Sequence, residues 1–146
     1  MPFEGGPYVQ AACVCDMVLQ DDTGTASLIR IIDTITHGEA GPNAPESMPP
    51  FVHKFWTVIM LKSGAAQGRS ELRITPELPN GELREPIVLT VHFEGGERGH
   101  NIMMQTAFQF TLEGLHWFNI DLDGERLTRI PLRVRYERLV ATTSAR

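Results

Sequence analysis

Along most of this 146-residue chain, apolar and polar residues alternate one for one. A period of two puts every second side chain on the same face of an extended strand, whereas a helix needs apolar positions recurring about every 3.6 residues. The second half shows it most clearly. Ile87, Leu89, Val91 and Phe93 alternate with Val88, Thr90 and His92, and Ile102, Met104, Phe108, Phe110 and Leu112 take even positions against Gln105, Gln109 and Thr111. His116, Phe118, Ile120 and Leu122 oppose Asn119 and Asp121; Ile130, Leu132, Val134 and Tyr136 oppose Arg129, Arg133 and Arg135. No stretch sustains a helical period, so the pattern predicts an all-β chain.

Turn signals divide the runs. Tyr8–Leu19 ends in the cluster Gln20–Thr25, and Ser27–Ile35 follows as its expected hairpin partner. Val52–Lys62 and Arg69–Thr75 are expected as two strands separated by a turn over Ser63–Gly68. Leu78–Glu82 and Gly95–His100 are read as further breaks. Asp123-Gly124, flanked by alternating apolar residues, is a strong hairpin signal because both residue types tolerate positive φ. Between His37 and Pro50, fourteen residues hold four prolines and two glycines, which cannot join a central ladder because proline lacks the donor. That segment is expected to be one long mobile loop whose centre is dispensable for stability.

About eight strands with turns roughly every 8–12 residues predict a two-sheet antiparallel β-sandwich of immunoglobulin-like type, with a barrel as the alternative. The boundaries read as a tail over 1–7, the sandwich over 8–138 and a fraying tail over 139–146. The predicted core comprises Val14, Ile29, Ile31, Leu89, Val91, Phe93, Phe108, Phe110, Phe118, Ile120, Leu132 and Val134.

The closing segment Leu112–Leu127 with Ile130–Val134 resembles a "G-x-Y-x-F-x-V-x-x-D-G" hairpin, and Tyr8–Asp33 resembles the opening pair of the same pattern. Together they are similar to a family of uncharacterised small bacterial immunoglobulin-like β-sandwich domains. The resemblance implies a fold and a bacterial, cytoplasmic origin, with no assigned activity. Where that family carries an aromatic corner, this chain has His116 and Trp117.

Charge and chemistry narrow the function. Eighteen acidic against thirteen basic residues leave a net charge of −5, without the clustered Lys and Arg that neutralise phosphates, so neither nucleic acid nor a membrane surface is an expected partner. The opening MPFEGGPYVQ lacks a basic n-region and an apolar h-region, and a cytoplasmic location is expected. Cys13 and Cys15 would share one strand face about 6.5–7 Å apart, at the edge of disulfide reach. They read as reduced core thiols; a metal pair or redox couple is the alternative, though no second CxxC or HxxxH completes a zinc site. His37, His53, His92, His100 and His116 never fall two or four residues apart, so a metal would need a site assembled across strands, such as His53 with His92. No GxSxG elbow is present. Glu94, Glu97, Asp121 and Asp123 fall on turns or polar faces, and Gly95–Gly99 lacks the lysine and helix of a phosphate cradle. No cofactor and no catalytic residue are expected.

One run stands apart. From His53 to Leu61 both parities are apolar, so this strand needs cover on both faces, and a two-layer sandwich supplies it on one. A second subunit or a partner is the expected cover. The candidate interaction surface is therefore His53, Phe55, Trp56, Met103 and Trp117, rimmed by Lys54 and Lys62, and one of the two tryptophans is expected in the core. The functional expectation is a non-catalytic interaction or assembly module, a homodimer or a binder of another protein. The alternative is a small-ligand or carbohydrate-binding domain with its site near the 37–50 loop.

Overall fold

The computed structural model describes residues 5–139 and contains only strands. β1 (Tyr8–Gln20), β2 (Ala26–Ile31), β3 (Thr34–Ala40), β4 (Phe51–Glu77), β5 (Ile87–Phe110), β6 (Gly114–Leu122) and β7 (Glu125–Leu139) form one sheet in the order β2-β1-β4-β6-β7-β3, with β5 paired to β4. β4 serves two neighbours in turn on one edge, β1 along Trp56–Lys62 and β6 along Leu72–Glu77. β5 follows its other edge from Phe51 to Ile74. The sheet curls into a half-barrel whose two halves face each other across the core. Phe55 of the first half lies 5.9 Å from Phe118 of the second, and Phe108 lies 5.6 Å from the same ring.

The bend is where turns were predicted. Ser63–Gly68 and Gly95–His100 do not end strands; the β4–β5 ladder shifts register between Lys62 and Gln67 and continues, so the predicted eight strands become seven and two separate sheets become one. Gly64 (φ 59°), Gly68 (φ 88°), Gly95 (φ 92°) and Gly96 (φ 61°) supply the left-handed backbone of bulges that bend a ladder without breaking it. At Gly64 any Cβ would collide with the Gly5 carbonyl oxygen, so only glycine fits. The Ser63 hydroxyl, 1% exposed, donates to the Arg98 carbonyl at 2.7 Å and ties the two bent strands together. The bulges also reset the alternation. Inward residues of β4 are odd before the bend (Phe55, Ile59, Leu61) and even after it (Leu72, Ile74), and β5 changes in the complementary sense, so both halves keep an apolar inner face.

The expected partner strand over Ser27–Ile35 is also divided. β2 stops at Ile31, after Arg30 at φ 55°, and the chain crosses to the far edge, where β3 pairs in parallel with β7 from Thr34↔Arg133 to Ala40↔Leu139. Arg133 N–H donating to Asp33 O at 2.9 Å fixes that crossing. His37–Ala40 are therefore strand, and the proline-rich loop contracts to 41–50. It is anchored: Ala44 and Met48 are buried, and the Tyr136 hydroxyl donates to the Pro45 carbonyl at 2.7 Å. Asp123 (φ 49°) and Gly124 (φ 84°) make the predicted tight turn between β6 and β7. The fraying tail expected over 139–146 lies, from residue 140, outside the described residues.

Ten of the twelve predicted core residues pack in or against the core cluster; Ile29 and Ile31 do not. They pair with Met17 and Cys15 across the β1–β2 ladder, which places them on the outer face, 40% and 62% exposed. Neither tryptophan fills the core. Phe55, Phe93, Phe110 and Phe118 do, because the curled sheet brings inward phenylalanines of both halves together.

Candidate interaction face

Paired residues of a ladder project to the same side, so the register maps the outer face of the first half. One row runs Ile31–Cys15–Trp56–Gln105, the next Cys13–Val58–Met103, the next Ala11–Met60–Asn101, with Met17 opposite Ile29. Leu19 and Val52 share the same parity. Five large apolar side chains here are substantially open to solvent: Met17 49%, Leu19 50%, Ile29 40%, Ile31 62% and Val52 60%. Cys15 and Val58 are fully covered at the centre of the face, yet lie outside the core cluster; their neighbours on the outer surface cover them. Only Lys54 and Lys62 bring charge to the β4 part of this face.

The outer face of the second half is the opposite in character. Arg73 pairs with Glu71 at 3.0 Å, Arg126 with Asp121 at 2.7 Å and Arg129 with Glu77 at 3.1 Å. Asn119 bridges the last pair, accepting from Arg129 Nε at 2.8 Å and donating to Glu77 at 3.3 Å. The Arg129 guanidinium lies 4.0 Å over the Trp117 ring. One continuous sheet thus presents a solvated ionic face on one half and an apolar face on the other.

The five candidate surface residues do not share one place. Trp56 and Met103 stand half-buried on the apolar outer face. Phe55 is a core residue, 2% exposed and 6.5 Å from Phe110, because the run's odd parity faces inward. Trp117 belongs to the ionic face under Arg129, and His53 lines a cleft of about 290 Å³ at the open end of the half-barrel with Asp16, Arg30, Thr34 and Thr36. A second cleft of about 270 Å³, between Asp16, Lys54, Trp56 and Gln105, opens where the β1–β4 ladder ends at Cys15↔Trp56. Neither cleft is lined by residues 41–50. Sequence reading missed Met17, Leu19, Ile29, Ile31 and Val52. The run Leu28-Ile29-Arg30-Ile31-Ile32 is apolar in both parities, so alternation alone does not tell which side is outward.

Chemistry at titratable groups follows from burial. Cys13 and Cys15 are both free thiols on the outer side of β1 rather than in the core cluster. Burial pushes both thiols above their usual range, and the proximity of Cys15 adds to the rise at Cys13, so neither is an activated nucleophile. His53 pairs with Phe108 in the first half and His92 with Arg69 in the second, which puts them in different halves of the sheet. Among the described residues, no three His, Cys, Asp or Glu side chains approach closely enough to hold a metal ion.

Residues 10–135 match a family of unknown function (DUF6941). The chain belongs to this family. No curated protein matches it. Among solved structures, an alkylpurine DNA glycosylase of Pseudomonas fluorescens, bound to DNA containing an abasic-site analogue, is similar at TM-score 0.50 and 11% identity over 88% of this chain. The similarity spans 30% of the glycosylase chain. An immunoglobulin-like protein of Pseudomonas aeruginosa aligns with TM-score 0.42 and 14% identity, covering 90% of this chain and 98% of its own. A CARDB domain from Pyrococcus furiosus, in complex with two metal ions, aligns with TM-score 0.36 and 10% identity over 93% of this chain and 97% of its own.

Proposed function

We propose that this protein is an interaction or assembly module without catalytic work of its own, and that it docks a protein partner on the outer face of the first half of its sheet. The observation that carries the reading is the group of Met17, Leu19, Ile29 and Ile31, four exposed apolar side chains on the outer side of the β1–β2 ladder, with Val52 exposed on the same side of β4. Monomeric proteins seldom leave such a patch open, whereas an interface core is built of just these residue types. The two facing halves of the sheet, each with an apolar inner surface, support an immunoglobulin-like sandwich as the scaffold. A small-ligand or carbohydrate site near the proline-rich loop has less behind it, since Ala44 and Met48 are packed inward.

The test is a photocrosslinking side chain placed at Ile31 or, as control, at the exposed Arg73 of the ionic face. Crosslinked protein adducts are expected from position 31 and not from position 73. Equal yields from both positions would refute the reading.

A further inference from the structure

We infer that the partner on this face is a second copy of the chain, packed face to face about a two-fold axis that lies in the interface and runs across the strands. The inference rests on the apolar outer face being a docking surface, and it adds who docks and in which orientation.

The first support is size. β1, β4 and β5 lie side by side over Trp56–Lys62, β1 and β2 over Cys15–Gln20, and β4 and β5 over Val52–Trp56; at about 4.8 Å per strand and about 3.3 Å per residue these three pieces sum to roughly 550 Å² per protomer. Two such faces bury about 1,100 Å² before side-chain relief is counted, which reaches the area that a specific interface needs. The second support is charge. β1 starts at Tyr8, opposite Lys62, and runs across the apolar rows to Gln20 and the Asp21–Asp22 turn. Lys62 therefore marks one end of the face and Asp22 the other, with the exposed Lys54 of β4 between them. Asp21 is occupied by its own turn, accepting from Thr23 N–H at 2.9 Å and Thr25 N–H at 3.1 Å, which leaves the exposed Asp22 to meet a partner.

A two-fold axis along the strands would lay Lys62 over Lys62 and Asp22 over Asp22. The axis across the strands lays Lys62 of each copy toward Asp22 of the other, and symmetry makes the contact twice. The same operation superposes the apolar rows on each other, closing Ile31, Met17 and Trp56 away from water.

The experiment is analytical ultracentrifugation of the full chain at micromolar concentrations, with the wild type, Ile31→Lys, Lys62→Glu, Asp22→Lys and the double reversal. The expected wild-type mass is twice the 16.3 kDa of one chain. Ile31→Lys should weaken association about a hundredfold or more, and each charge reversal about tenfold, with the double reversal regaining most of that loss. Circular dichroism reports whether each variant is folded; Ile31 and Asp22 are exposed and Lys62 is half-buried. A dimer indifferent to Ile31→Lys, or to both reversals, overturns the inference. A monomer throughout overturns it as well. The crosslinks then separate the two ideas: adducts from Ile31 to another protein leave the docking face standing, and their absence removes both.

Discussion

His116 is 1% exposed, edge-on to Phe110 at 5.2 Å, with Nδ1 3.2 Å from the Gly114 carbonyl and Nε2 without a hydrogen-bond partner among the described residues. Burial pushes its pKa down from 6.5; the Gly114 carbonyl opposes the shift and the positive charge of Arg84 reinforces it. The folded chain therefore refuses a proton that the unfolded chain accepts near that value. Its contribution to stability is complete above about pH 6.5 and falls as the pH drops below it, by up to about 1.4 kcal/mol per pH unit. Denaturant unfolding at about pH 7.5 and about pH 5.5 should show this fall in the wild type and a smaller one in His116→Phe. At the same scale, Phe110→Ala should cost about 3–5 kcal/mol, since the ring is fully buried among Phe51, Phe55, Phe108 and His116. A loss below about 1 kcal/mol would contradict that packing. Phe110 was legible from alternation alone. The orphaned Nε2 was not, because hydrogen-bond satisfaction depends on what the other strands bring alongside.

At the scale of elements, the β4–β5 hairpin departs most from expectation. Glycine-rich breaks read as turns because glycine ends strands more often than it bends them, and only pairing partners on both sides decide which occurs. The bend makes an ordered pair of predictions by chemical denaturation. Gly64→Ala should destabilise by about 2 kcal/mol or more, through positive φ and the clash with Gly5, whereas Gly68→Ala has open space and should cost only about 1 kcal/mol for its φ. Equal costs would mean that the Gly5 contact is not held. The loop over 41–50 shifts in the other direction, from dispensable to structural. Met48→Ala should cost about 2–3 kcal/mol, measured as a lowered unfolding midpoint, because its side chain closes the core beneath the loop.

For the molecule as a whole, a substitution at an open position of the apolar face should separate folding from association. Ile31→Lys is expected to leave the stability of the isolated chain within about 0.5 kcal/mol, read by denaturant midpoint, as usual for an exposed site. Much of the fold was readable from residue order: the all-β class, the Asp123-Gly124 hairpin, the parity of each later strand, and the doubly apolar run over Phe55–Leu61. Each of these depends on a residue and neighbours within one element, where side-chain period and turn chemistry act locally. What the chain order left open was settled by pairing across distance. The parallel return of β3 to β7, the curl at Gly64 and the outward turn of Ile29 and Ile31 all follow from which edge a strand meets. A one-residue difference in register moves a whole apolar set from core to surface, and register is a property of two strands together. For that reason the apolar character of β4 was visible in the residues, while the exposed apolar outer face appeared only once β1, β2 and β5 lay beside it.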